Sequence, residues 1–168
     1  VKSKWAAGIA PRNFAWIIKN KLAVSERPGG YARNHRRVRR QEEIIWLREQ
    51  GFSRVVSLLP SPHNLHAYDE LGLAWEHIPL GPHDDPRPVL EDLYGRLEKW
   101  LGAGDKVLLH QEELGDRLQG VVAGYVVWAG LIPSPAQAIS IIEQINQRQM
   151  GPQGRELVAL AVELAGRR

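Results

Sequence analysis

The 168-residue sequence predicts an α/β fold: one domain with a mostly parallel central sheet of four to five strands and helices on both faces. Three observations predict it. Strand-like segments alternate with helical patterns along most of the chain, the order that builds a helix-covered sheet. The strand-like segments RVVSLLP (54–60) and KVLLH (106–110) are largely unbroken apolar runs, as strands buried on both faces require. A hydrophobic content of 43%, with no internal repeat or long linker, supplies one core and no boundary at which to divide it.

In chain order, residues 1–30 read as an irregular arm with a short extended piece, packed on a domain formed by residues 31–168. The arm closes at the turn signal Arg27-Pro28-Gly29-Gly30, and Trp5 and Trp16 are expected to pin it to the body. From Val38 to Gln50 the residues Val38, Ile44, Ile45 and Leu47 suit a helix, with Gly51 as its stop. RVVSLLP reads as a strand, Pro62 to Leu71 as a short helix closed by Gly72, and AWEHIPL (74–80) as a further strand. After the Pro-rich loop GPHDDPRP, Val89 to Leu101 is amphipathic, with Leu90, Leu93, Leu97, Trp100 and Leu101 on one side. KVLLH follows as a buried strand, then helices over Arg117 to Ala129, Pro135 to Gln149 and Pro152 to Leu164.

Composition removes several function classes. With no cysteine there is no disulfide, no thiolate metal site and no cysteine nucleophile. His63 and His66 could share a helix face, but no further ligand stands in register, so neither a metal nor another cofactor is expected. No serine sits in a nucleophile elbow, and the Gly-Lys-Ser/Thr nucleotide loop is missing. No window approaches the roughly 18 apolar residues of a membrane span, and the start VKSKWAAGIAPRNFAW lacks the pattern of a secretory leader. A cytoplasmic protein is the expectation.

Charge is unevenly spread. Residues 1–60 hold 13 Lys/Arg against 4 Asp/Glu, and the remainder 9 against 15. Arg33, Arg36, Arg37, Arg39 and Arg40 fall within eight residues, a run that could meet nucleic acid, an anionic lipid surface or an acidic partner. The simpler reading is a solvated helix start whose arginines pair with Glu42, Glu43 and Glu49. Only Tyr31 and Trp46 lie nearby to stack bases, so nucleic acid is not the expected partner.

In parallel sheets ligands sit beyond the carboxyl ends of the strands, where GPHDDPRP and HQEELGDR emerge. The second loop runs from an apolar strand through His110 and Gln111 to Arg117, which opens a helix. A strand, a glycine-bearing loop and a helix N-terminus make an anion cradle, yet this loop carries Glu112, Glu113 and Asp116.

The arrangement resembles the cysteine-dependent phosphatases of the dual-specificity and protein-tyrosine type, whose signature is strand, His-Cys, five residues, Arg, helix. The likeness extends from about Asn13 onward. NFAWIIKNKLAVSERPGG resembles the leading segment of bacterial members, QEEIIWLREQGFSRVVSLLP their first helix and strand, LGLAWEHIPLGPHDDPRP their acid-bearing loop, and YVVWAGLIPSPAQAISIIEQI their paired C-terminal helices. The resemblance implies a phosphatase-like fold in which a thiolate attacks phosphorus, loop N–H groups and the arginine hold its oxygens, and a loop aspartate protonates the leaving group.

This chain has His110 and Arg117 at the matching positions and departs elsewhere. Gln111 occupies the nucleophile position and cannot form a phosphoenzyme. Leu114 and Asp116 replace two motif glycines, with Gly115 between them, and Leu118 and Gln119 replace Thr and Gly. A carboxylate ~4 Å from a bound anion, at an effective dielectric of about 20, would cost about 4 kcal/mol per charge pair if it pointed inward. Asp84 and Asp85 match the general-acid position, but without a nucleophile they read better as a turn and helix-cap signal. His110 reads as a buried histidine bracing the loop backbone. Arg117 could hold sulfate, phosphate or a partner's carboxylate, but the local acids favour internal pairing.

The resulting expectation is a catalytically inactive phosphatase-like domain that binds a protein partner. An anionic ligand at Gln111, Gly115 and Arg117 is disfavoured. Two alternatives stay open: a hydrolase using water with Glu112 or Glu113 as base, and an anion-binding surface over Arg33 to Arg40, including Arg36, Arg37, Arg39 and Arg40.

Overall fold

The computed structural model describes residues 8–30, 37–62 and 64–168. Trp5, Tyr31, Arg33, Arg36 and His63 lie outside the described residues. The short strand Val107–Gln111 (β5) takes the centre of a five-stranded sheet, as its apolar run demands. Its neighbours are Leu22–Glu26 (β2) on one side and Arg54–Ser57 (β3) on the other, both parallel to it. Ala74–His77 (β4) extends the sheet beyond β3, also in parallel, and Ala15–Ile18 (β1) closes the far edge antiparallel to β2, giving the order β1-β2-β5-β3-β4. Among the described residues the expected four to five strands are five, in one α/β domain.

Two of those strands come from the segment read as an arm. Leu22, Ala23 and Val24 have no exposed surface, so β2 is as buried as β5 beside it. Phe14 and Trp16 meet Trp46 and Phe52 in an aromatic cluster with ring centroids 4.9 to 5.8 Å apart, so Trp16 does attach this segment to the body.

Alternation along the strands divides the core. Leu22, Val24, Val56, Val107 and Leu109 face one way, toward the helices Pro86–Gly102 (α3), Asp116–Trp128 (α4), Pro135–Asn146 (α5) and Pro152–Ala165 (α6). Ala23, Val55 and Leu108 face the other, toward Arg37–Glu49 (α1) and His66–Glu70 (α2). Helices thus cover both faces. Among the described residues no helix is long and apolar enough to cross a membrane.

Helix ends differ from the sequence reading for local reasons. α2 starts at His66 rather than Pro62 because Asn64 takes a left-handed backbone, φ 61°. α5 stops at Asn146 because Gln147 does the same, φ 55°. α3 starts three residues early: Asp85 caps it by accepting the Arg87 N–H at 3.1 Å, and Pro86 occupies the first turn.

The tightest helix pair is α4 against α6, made possible by two glycines. A β-carbon on Gly120 would lie 2.6 Å from the Gly154 Cα, closer than any side chain can stand. This contact sets how α6 meets the start of α4, and therefore the loop before it.

Candidate functional site

At the carboxyl end of β5, where β3 and β4 also end, a cleft of about 460 Å³ opens. Leu58, Leu59 and Pro60 beyond β3, with Leu80 and Pro82 beyond β4, form its apolar wall. The opposite wall is the loop from Gln111 to Arg117 with Gln153 of α6. A second cavity of about 230 Å³ adjoins it, sharing Pro82, Arg117 and Gln153 and adding Asp84, Pro86, Glu156 and Leu157.

Gln111 ends β5, half-buried on the cleft wall, where its neutral amide can both donate and accept. His110, one residue earlier, is 1% exposed; Nε2 lies 3.4 Å from the Tyr68 hydroxyl, while Nδ1 has no hydrogen bond of acceptable geometry. Burial drives its pKa down to about 3, Arg27 and His77 add to the fall, and the adjacent Gln111 backbone opposes it. The histidine is therefore a neutral ring under the loop.

The three loop acids take separate directions. Glu112 turns across to Arg27, with Oε1 3.1 Å from Nη1. Glu113 is exposed, and its carbonyl accepts the Gly115 N–H at 2.9 Å. Asp116 points away to the start of α6, accepting the N–H groups of Gly151 at 2.7 Å and Gly154 at 3.0 Å. That helix has only a glycine at its cap position and a proline in its first turn, so an acid from α4 supplies the missing acceptor.

Leu114, in place of the first motif glycine, is 5% exposed and joins the core, while its carbonyl accepts from Arg148 Nη1 at 2.6 Å. Gly115 has an ordinary φ of −102°, and a β-carbon there would meet nothing within 4 Å. The glycine in this loop is not there to permit a strained backbone.

Arg117 departs from the expected internal pairing. Its Nη1 reaches only the Leu80 carbonyl, at 3.5 Å, and among the described residues no carboxylate meets it. The physical reason is competition: Glu112 has Arg27 and Asp116 has the N-terminus of α6. Asp84 accepts the Gly81 N–H at 2.6 Å, closing a turn, and Asp85 caps α3. Of the basic run, Arg37 is exposed and Arg39 pairs with the buried Glu43 at 3.3 Å. Burial lowers the Arg40 pKa, and the charges of Arg27 and Arg37 lower it further. Among the described residues no group of three or more His, Asp or Glu is arranged to hold a metal ion.

Arg27 was not singled out from the sequence. Its signal was register: Glu26 stands opposite Gln111 in the β2–β5 pairing, so the next residues, Arg27 and Glu112, leave the sheet together. Reading that register required knowing that LAVSE is a central strand.

No protein-family model matches the sequence, and no curated protein matches it. Solved structures do. Kinase associated phosphatase, crystallised with its catalytic-site cysteine replaced by serine, superposes with a TM-score of 0.77 at 20% identity, covering 93% of this chain and 97% of that one. The fold is that of the dual-specificity and protein-tyrosine phosphatases. Human DUSP28 superposes with a TM-score of 0.68 at 18% identity over 94% of this chain and 99% of that one. The core catalytic domain of the PP-IP phosphatase SIW14 from S. cerevisiae, in complex with citrate, gives 0.68 at 13% identity over 95% and 94%. Against this phosphatase fold the present chain stands out by having no cysteine at all.

Proposed function

We propose that this phosphatase-fold domain is catalytically inactive and works by binding a protein partner. One observation carries the reading: Gln111 ends β5 at the position the phosphatase signature gives to its nucleophilic cysteine. A carboxamide has no ionised form to attack phosphorus and cannot carry a phosphoryl group as an intermediate. Further support comes from the loop, whose Leu114 is committed to the core and whose Asp116 is committed to α6. The alternative with a loop carboxylate as base has less support, since Glu112 is bound to Arg27 and Glu113 lies out in solvent. An anion-binding surface on the basic run is likewise weakened by the Arg39–Glu43 pair.

The purified protein is expected to release no phosphate from an aryl phosphate above the buffer rate. Turnover that survives Gln111→Ala would mean another nucleophile and end this reading. The single reversion Gln111→Cys is also expected to stay inactive, because Leu114 and Asp116 hold the loop by bonds that a thiolate does not replace. Robust hydrolysis by that variant would show the loop to be more permissive than argued.

A further inference from the structure

Among the described residues, the cation in the cleft that meets no carboxylate is Arg117. It stands where the two cavities meet, so the trough continues on either side of it. The apolar residues Leu58, Leu59 and Pro60 line the first cavity with it, and of the three Pro60 is exposed. A bound chain could therefore pass Arg117 rather than end there, with an apolar residue against the wall.

Resting on the inactive, partner-binding reading above, we propose that this trough seats an extended segment of a partner protein, with an unphosphorylated Glu or Asp side chain on Arg117. Charge decides between that occupant and a phosphorylated one. Asp84, Glu112, Glu113, Asp116 and Glu156 line the two cavities; the partners of Asp84, Glu112 and Asp116 offset their charges without removing them, and Glu113 and Glu156 are exposed to solvent. A phosphomonoester brings between one and two negative charges into that surround. A carboxylate brings one, and matches the guanidinium fork as well. The neutral Gln111 amide in the same cleft adds a donor where a thiolate would have repelled an acid.

The test uses pools of end-blocked nonapeptides, random except at the fifth residue, which is fixed as Glu, Gln, phosphoserine or phosphotyrosine. A further pool ends in a free carboxylate. Each is passed over the immobilised full chain, and the retained peptide is measured by mass spectrometry. The Glu pool is expected to be retained about ten-fold over the Gln pool, the scale of one charge-assisted contact, and above both phosphorylated pools. Arg117→Gln should erase the preference. Pro60→Asp, at an exposed position on the wall, should weaken it without touching the core, and serves if Arg117→Gln does not fold. Equal or better retention of the phosphorylated or free-carboxylate pools, a preference indifferent to both variants, or no retention would each overturn the inference. Phosphate released from the phosphorylated pools is read in the same runs. Its release would sink the proposed inactivity, whereas a missing Glu preference without release sinks the docking inference alone.

Discussion

His110 stands one residue before Gln111, at the histidine position of the signature this loop resembles. Buried beneath the loop and neutral, it has no thiolate to support, and what remains is its contribution to stability. The unfolded chain takes up a proton on this ring below about pH 6.5, while the folded chain stays neutral until about 3. The unfolded state thus binds more protons across that window, so stability falls as the pH drops through it, by up to about 1.4 kcal/mol per pH unit. Glu43 acts with the opposite sign. Burial raises its pKa against the Gly29 hydrogen bond and Arg39, so its contribution fades as the pH rises from its unfolded value through the folded one. Imidazole NMR resonances of His110 should show no titration between pH 8 and 4.5, and urea midpoints should drop between pH 6.5 and 5.5. A ring that titrates near 6.5 would contradict its burial. Gly115→Ala, in open space at an ordinary φ, should leave the urea midpoint unchanged.

At the scale of elements, the decisive contact is between α4 and α6. Asp116 ties the first residue of one to the first turn of the other, and the Gly120–Gly154 approach keeps the two helices close enough for the tie to reach. Asp116→Ala should cost about 1–2 kcal/mol, as the loss of a helix cap does. Gly154→Ala should cost about 1–3 kcal/mol or more through overpacking, since its β-carbon would lie 2.5 Å from Asp116 Oδ1 and 2.6 Å from Met150 Cγ. Urea denaturation of both variants checks the order. A Gly154→Ala protein as stable as the parent would mean that the helices can separate cheaply, and that the loop is less constrained than its bonds imply.

For the whole molecule, the placement of β2 matters most. It lies between β1 and β5, and its side chains enter both cores, Leu22 and Val24 on one face and Ala23 on the other. A chain beginning at Tyr31 would lose that strand, leave β5 as an edge and uncover both cores at once. It is expected to give no cooperative unfolding transition, measured by circular dichroism with heating. A sharp transition would show that residues 1–30 are an accessory to a domain complete without them. In the intact chain, amide exchange should be slowest in β5, which is paired on both sides.

Much of this was written locally. Apolar runs marked β3 and β5, AWEHIPL read as the strand that holds β4, the helical segments read from the sequence match the six described helices to within four residues at their ends, and His110 and Arg117 stood at the phosphatase spacing on either side of Gln111. These features depend on neighbours a few residues away, where pattern and chemistry coincide. LAVSE escaped because five residues inside an irregular stretch carry little pattern, and only pairing with β5 makes them core. The site's electrostatics escaped for a stronger reason. Glu112 finds its partner 85 positions away and Asp116 finds its two 35 and 38 positions away. The sequence by itself determined the α/β class, the loop's residues and the absence of a cysteine from the chain. Only the tertiary structure decided which charges face one another, because a carboxylate's direction is set by the nearest donor in space, and these donors lie just past the end of β2 and at the start of α6, distant in the chain.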